Sequence, residues 1–256
     1  MAKWTAFPHG DDYRHDAAAL KKHWSRLHAG DAEPLPKDAK LLEAWALFHA
    51  GDFQKAHEAG LKLGAAGTSV ANKAQAIHAN YLEKSEKNKL AMFMEVAQRA
   101  QAQQTAEPKN PAGWYWQAYA LGRYSQGISV AKALAQGLGA KIKHALQTTL
   151  ELEPKHADAH IALGTFHAEV IDKVGKLLAK TQGADAQTGL RMFTRALELN
   201  PTSAIAMVEY ANGLVMLEGD KRMKDAEQLY ADAAACTPMD AMERLDVEMA
   251  KAELEE

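Results

Sequence analysis

The chain has 256 residues, 47% of them hydrophobic and 25% charged, with a formal net charge of -3. That length suits one or two ordinary domains or one elongated repeat array, and the lack of a basic excess argues against nucleic acid as the main partner. Alanine is abundant and β-branched residues are sparse, which favours helix over strand.

Residues 12–28 read as the first helix. Tyr13, Ala17, Leu20, Trp24 and Leu27 recur at three- and four-residue spacing, and Asp11 or Asp12 is the expected N-cap. This helix is expected to cover the open end of the first hairpin. LLEAWALFHAGDFQKAHEAG then gives a helix, a Gly51-Asp52-Phe53 turn and a second helix carrying Ala56. From Ala71 a weaker unit places Ile77, Tyr81, Phe93 and Ala97. GWYWQAYALGRY opens a third unit with Leu121-Gly122. TLELEPKHADAHIALGTFHA opens a fourth with Leu163-Gly164, completed by Phe193, Ala196 and Pro201. The fifth runs from Ala204 to Pro238 with Ala226, Tyr230 and Ala233. After Pro238, residues 239–254 form a charged amphipathic helix with Met242, Leu245, Met249 and Ala252 on its apolar side, expected to cap the other end.

Pro111, Pro154, Pro201 and Pro238 punctuate this rhythm at intervals of roughly 40 residues. A proline cannot continue the helix before it but is tolerated in the first turn of the next. Leu-Gly in one helix, then alanine, an aromatic, alanine and proline through the second, resembles the tetratricopeptide pattern. Small residues let two antiparallel helices approach, and large ones fill the groove between neighbouring hairpins. The expectation is an all-α, right-handed superhelix (an α-α solenoid) of about five helical hairpins with capping helices. Residues 1–36 are the N-terminal segment and cap, 37–238 the array, and 239–256 the C-terminal cap. Two inserts are expected, near 126–141 and 170–186.

Three stretches carry a narrower likeness: WYWQAYALGRYSQGIS, then KALAQGLGAKIKHALQTTLELEPKHADAHIALGTFHAEV, then LRMFTRALELNPTSAIAMVEYANGLVML. Their order, lengthened helix and insert resemble the regulator of microtubule dynamics family of tetratricopeptide proteins, which has bacterial as well as eukaryotic members. The resemblance covers roughly residues 40–238 and is strongest over 111–201. It implies a repeat fold and no catalytic motif. No residue here carries the microtubule association of certain eukaryotic members.

Several groups invite chemistry. His156 and His160 stand four apart, with His167 two turns on, so all three could face one metal ion. The competing reading makes His160 and His167 repeat packing residues and puts His156 in a first turn near solvent. His9, Asp11, Asp12 and His15 form a second metal-like cluster, which helix capping explains as well. Cys236 is the only cysteine, has no triad frame, and reads as a small core residue. GISVAKALAQGLGAKIKH lacks the phosphate-loop signature, so its glycines read as bends or close contacts within an extended helix. In VIDKVGKLLAK, Val170, Ile171, Val174, Leu177 and Leu178 share one face and Lys173, Lys176 and Lys180 mostly the other. That stripe is expected to pack on its own protein, or else on a partner or a second copy.

The groove-lining positions of the array are Trp116, Tyr119, Arg123 and Gln126 in the third unit, Asn72 and Gln75 in the second, and Asn212 in the fifth. Aromatics beside an arginine make strong anchors when exposed. The expectation is a non-catalytic scaffold or adaptor holding a protein or peptide there. The alternatives are a small-ligand binder with a pocket closed by the inserts, and a metal-dependent enzyme using the three histidines. No cofactor is expected. The N-terminus lacks a signal-peptide core, no segment is apolar enough to span a membrane, and the single cysteine fits a reducing compartment, so the expected location is cytoplasmic. Homo-oligomerisation through residues 170–180 is compatible with the scaffold.

Overall fold

The computed structural model describes residues 3–10 and 12–255. They form α1 Ala17–Leu27, α2 Ala39–His49, α3 Phe53–Lys62, α4 Thr68–Tyr81, α5 Glu86–Ala106, α6 Pro111–Gln126, α7 Val130–Ala135, α8 Leu138–Leu152, α9 Ala157–Thr181, α10 Ala186–Leu199, α11 Ala204–Glu218, α12 Met223–Ala234 and α13 Ala241–Glu255. No strand occurs among the described residues. The chain divides into two compact units. The first holds the described residues up to His28, Glu33–Leu138 and Met239–Met242. The second holds Ala29–Ala32, Gly139–Pro238 and the residues from Glu243 onward.

Local chemistry sets the helix starts. Asp16, Asp38, Ser85, Asn110, Ser129, Asp185 and Ser203 each cap a helix by accepting a backbone N–H in its first turn. Pro111 occupies the first turn of α6, where its missing N–H costs nothing. The first helix therefore begins later than the sequence suggested. Asp16 takes the Ala19 N–H at 2.7 Å, while Asp12 lies in the preceding turn and Asp11 lies outside the described residues.

In the first unit α2 pairs with α3 and α4 with α5, and α6 packs on α5 and α4. Trp45, Phe48, Phe53, Phe93 and Val96 fill the spaces between these helices. Every residue of α4 from Ser69 to Ala79 is buried, including Lys73. Its ammonium sits 5.1 Å from the Phe48 ring centre and 5.8 Å from that of Trp45, so the charge is held over aromatic faces.

In the second unit α9 pairs with α10 and α11 with α12. Phe193 of α10 is fully buried and stacks on Tyr210 of α11, with ring centres 5.4 Å apart. It fits only because Gly164 and Gly213 flank it. A Cβ at Gly164 would stand 2.9 Å from the ring, and one at Gly213 would collide with it. The Leu-Gly of the repeat thus makes a socket for the aromatic of the following helix. Val247 and Ala250 of α13 close the far side against Ala204, Val208 and Ala233. Ala252, read from the sequence as part of that apolar face, is exposed.

The inserts differ from the sequence reading. The stretch around residues 126–141 is not one extended helix: α6 stops at Gly127, and Gly137, at positive φ, separates α7 from α8. Helix α9 runs through the second insert but is broken at Gly175, whose φ of 78° and ψ of 156° only glycine adopts readily. The break rotates the C-terminal part of the helix, so Ile171 and Ala179 are buried while Leu177 is 87% exposed and Leu178 is exposed beside it. The single apolar face expected over residues 170–180 does not exist, because the helical phase is lost at its centre.

Chemical denaturation of single variants tests the socket. Phe193→Ala should lose about 3–5 kcal/mol and Gly213→Ala about 1–3 kcal/mol. Gly122→Ala, in α6 with open space at the Cβ position, should be neutral or stabilising by about 0.5–1 kcal/mol.

Candidate functional site

Four of the seven expected groove residues line one face of α6. Trp116 lies edge-on to Tyr115 and Tyr119, with ring centres 4.9 and 5.4 Å away. The Arg123 guanidinium sits 5.5 Å from the Tyr119 ring centre, and its NH1 donates to Gln126 Oε1 at 3.3 Å. The result is a ladder running from buried to exposed. Trp116 is only 3% exposed and is a packing residue rather than an exposed anchor. Tyr119 and Arg123 are half-buried and Gln126 is exposed, so the accessible part of the ladder is its C-terminal end.

Asn72 and Gln75 are fully buried and face α5. Arg99 reaches between them, donating from Nε to Asn72 Oδ1 at 2.6 Å and from NH2 to Gln75 Oε1 at 2.5 Å. Gln75 Nε2 donates in turn to Glu95 Oε2 at 2.6 Å. Burial lowers the Arg99 pKa and Glu95 partly restores it. A charged fork satisfying two buried amides ties the helices of the second hairpin together. These amides are therefore structural ties, which corrects their reading as groove-lining contacts. Two atoms next to the network lack a hydrogen-bond partner: Asn72 Nδ2 and, one turn from Arg99, Gln103 Oε1. Asn212, the groove residue of the second unit, accepts the Tyr230 hydroxyl at 2.5 Å and is likewise a tie between paired helices.

Each of the three histidines proposed as metal ligands has its own task. His156 is buried rather than near solvent, because it is the N-cap of α9 and accepts the Ala159 N–H at 3.1 Å. His160 Nε2 donates to the Pro154 carbonyl at 3.1 Å, and its Nδ1 lies 3.4 Å from the Met192 sulfur. His167 Nδ1 accepts the Asp185 N–H at 3.1 Å. Of the described members of the cluster near the N-terminus, His9 and Asp12 stand 3.9 Å apart, while His15 Nε2 donates to the Met239 carbonyl at 3.1 Å; Asp11 lies outside the described residues. Among the described residues no three His, Cys, Asp or Glu side chains converge on one ion position. Cys236 is half-buried against the α11–α13 cluster rather than inside the core, and its thiol points to the Asp232 carbonyl at 3.4 Å.

Sequence reasoning missed two arrangements in the first unit. In one, His49 Nδ1 donates to Asp240 Oδ2 at 2.7 Å, and His49 Nε2 lies within hydrogen-bond distance of His28 Nε2 at 3.2 Å. All three residues are buried, and Trp24 stacks on His28 at 4.0 Å. In the other, His78 is fully buried beneath the Trp4 indole, with ring centres 4.5 Å apart and no hydrogen-bond partner for either nitrogen. Neither has a local motif, because the partners lie tens of residues or nearly the whole chain apart.

No family model matches this chain, and no curated protein matches it. Among solved structures, its fold is similar to that of a thermophilic TPR protein from Thermus thermophilus. The TM-score is 0.59 at 15% identity, over 83% of this chain and 97% of that one. At that identity the likeness establishes a fold, and the fold is an all-α tetratricopeptide-like helical repeat. Among the described residues no helix is long and apolar enough to cross a membrane.

Burial pushes His78 and His167 down to about 4 from an ordinary 6.5, so both are neutral in the folded protein at pH 7. Unfolding returns them to water, where they bind protons near pH 6.5. Their effect on stability is thus nil above that pH, and stability falls as pH drops from 6.5 toward 4. Denaturation at pH 7.5 and pH 5 should show a loss on the order of 1–3 kcal/mol, which His167→Gln should reduce.

Proposed function

We propose that this protein is a non-catalytic scaffold that binds a protein or peptide through the face of α6 carrying Tyr119, Arg123 and Gln126. The supporting observation is the half-exposed guanidinium held over the Tyr119 ring at the accessible end of the ladder. A stacked arginine and an amphipathic ring offer a large contact area with little conformational entropy left to lose, which is the chemistry of interface anchors. The tetratricopeptide-like fold supports the same reading, since repeat hairpins present side chains on rigid helices. The sequence resemblance to the regulator of microtubule dynamics family belongs to this proposal as kinship of architecture. It brings no microtubule-binding residue with it. A cytoplasmic location is part of the same reading, with Cys236 reduced. The three histidines of the metal-dependent alternative each hold a separate hydrogen-bond partner, which favours the scaffold reading over it.

A lysate pull-down compares wild type with Tyr119→Ala/Arg123→Ala, circular dichroism confirming that the variant folds. The expected result is a bound protein retained by wild type and lost by the variant, with affinity reduced about tenfold or more. Equal capture by both would move the site off α6.

A second reading rests on Leu177, whose side chain is almost wholly in water with Leu178 beside it and Lys173, Lys176 and Lys180 around it. We infer a self-association contact there. Sedimentation at increasing concentration should show an oligomer that Leu177→Glu/Leu178→Glu abolishes. A monomer at all concentrations would remove this reading.

A further inference from the structure

Residues 3–7 have no secondary structure of their own, yet they are held against the first unit at three points. The Trp4 backbone N–H donates to Gln54 Oε1 at 3.0 Å. The Trp4 indole stacks over His78 of α4 at 4.5 Å and lies 5.1 Å from His57 of α3. Three residues on, Phe7 is buried edge-on to Phe53, with ring centres 6.2 Å apart. Phe7 has a socket for the same reason Phe193 has one, because Gly51 offers no Cβ. Any side chain there would enter the Phe7 ring, and the φ of 85° at Gly51 already favours glycine. The contact is made as a groove makes it to an extended peptide. A side-chain amide fixes the backbone, and two aromatic anchors enter adjacent hollows.

The fit is incomplete in one respect. His78 lies buried beneath the indole with neither ring nitrogen in hydrogen-bond geometry with a protein atom, and the Thr5 backbone is the polar group that approaches it. Buried polar groups are ordinarily paired, so a core built only for permanent closure would carry an apolar residue at this position. A polar ring beneath the indole suits a surface that the N-terminal segment can leave.

We propose that the α3–α4 surface formed by Gly51, Phe53, Gln54, His57 and His78 is a recognition site for an extended peptide with two aromatic side chains three residues apart, occupied in cis by the chain's own residues 3–7. The site lies on different helices from the α6 face, so the two readings stand or fall separately. Tethering gives the cis segment a high effective concentration, so a free peptide of the same chemistry binds measurably only once the tethered anchors are removed.

The test uses the full chain and a fluorescein-labelled peptide KWTAFPHG, which copies residues 3–10, followed by fluorescence anisotropy. Trp4→Ala/Phe7→Ala vacates the site in cis. The expected result is saturable binding to this variant at least about tenfold tighter than to wild type, with no binding of the control peptide KATAAPHG. Adding Gln54→Ala should weaken the peptide several-fold by removing the backbone clamp. Should the double variant fail to fold, Trp4→Ala alone decides, since Trp4 is only partly buried and its loss leaves Phe7 in place. Equal peptide binding by wild type and the vacated chain would overturn the proposal. So would binding no stronger than that of the control peptide to a folded variant. A concentration-dependent wild-type dimer that the double variant loses would overturn the cis assignment in favour of arm exchange between two copies.

Discussion

A helical hairpin has two apolar faces and can bury only one against itself. Everything else in this protein stems from the need to cover the second face. In the second unit the solution is the Phe193 socket, in which one aromatic occupies the space left by Gly164 and Gly213 and stacks on Tyr210. In the first unit it is the complete enclosure of α4, whose residues from Ser69 to Ala79 are all out of solvent. The hydrophobic effect rewards such closure without regard to direction, so any available segment of the chain is recruited to it.

Closure of this kind traps polar groups, and the way each is satisfied separates structure from site. Arg99 satisfies Asn72 Oδ1 and Gln75 Oε1, Tyr230 satisfies Asn212, and Asp240 accepts from His49, whose other ring nitrogen pairs with His28. Those clusters are ties: removing one partner strands another. His78 is different, being buried without a partner beneath a segment that has no fold of its own. The Tyr119–Arg123 pair is different again, because its polar end remains in reach of water.

The hairpin rhythm was legible because prolines, alanines and Leu-Gly pairs report on helix ends and close approach, which are local properties. The one helix start read from the sequence, that of α1, was misplaced, because Asp16 rather than Asp11 or Asp12 accepts the first-turn N–H. Gly175 defeated the reading of residues 170–180. Periodicity assumes an unbroken helix, and one residue at positive φ resets the phase so that Leu177 turns outward. Trp116, Asn72 and Gln75 occupy the repeat positions expected to line a groove, but a pattern cannot show what covers a face. The burial of Trp116 and the Arg99 tie between the two amides are found only in three dimensions. Trp4 with His78, and His49 with Asp240, lie beyond any local signal.

The enclosure of α4 is the feature on which the account most depends. Native-state hydrogen exchange, resolved by residue, measures it directly. The account predicts that the amides of Ser69–Ala79 exchange only through global unfolding, while those of α7, which has no buried residue, exchange orders of magnitude faster. Amides of α4 exchanging as fast as those of α7 would show that the inner helix is open to solvent and would contradict it.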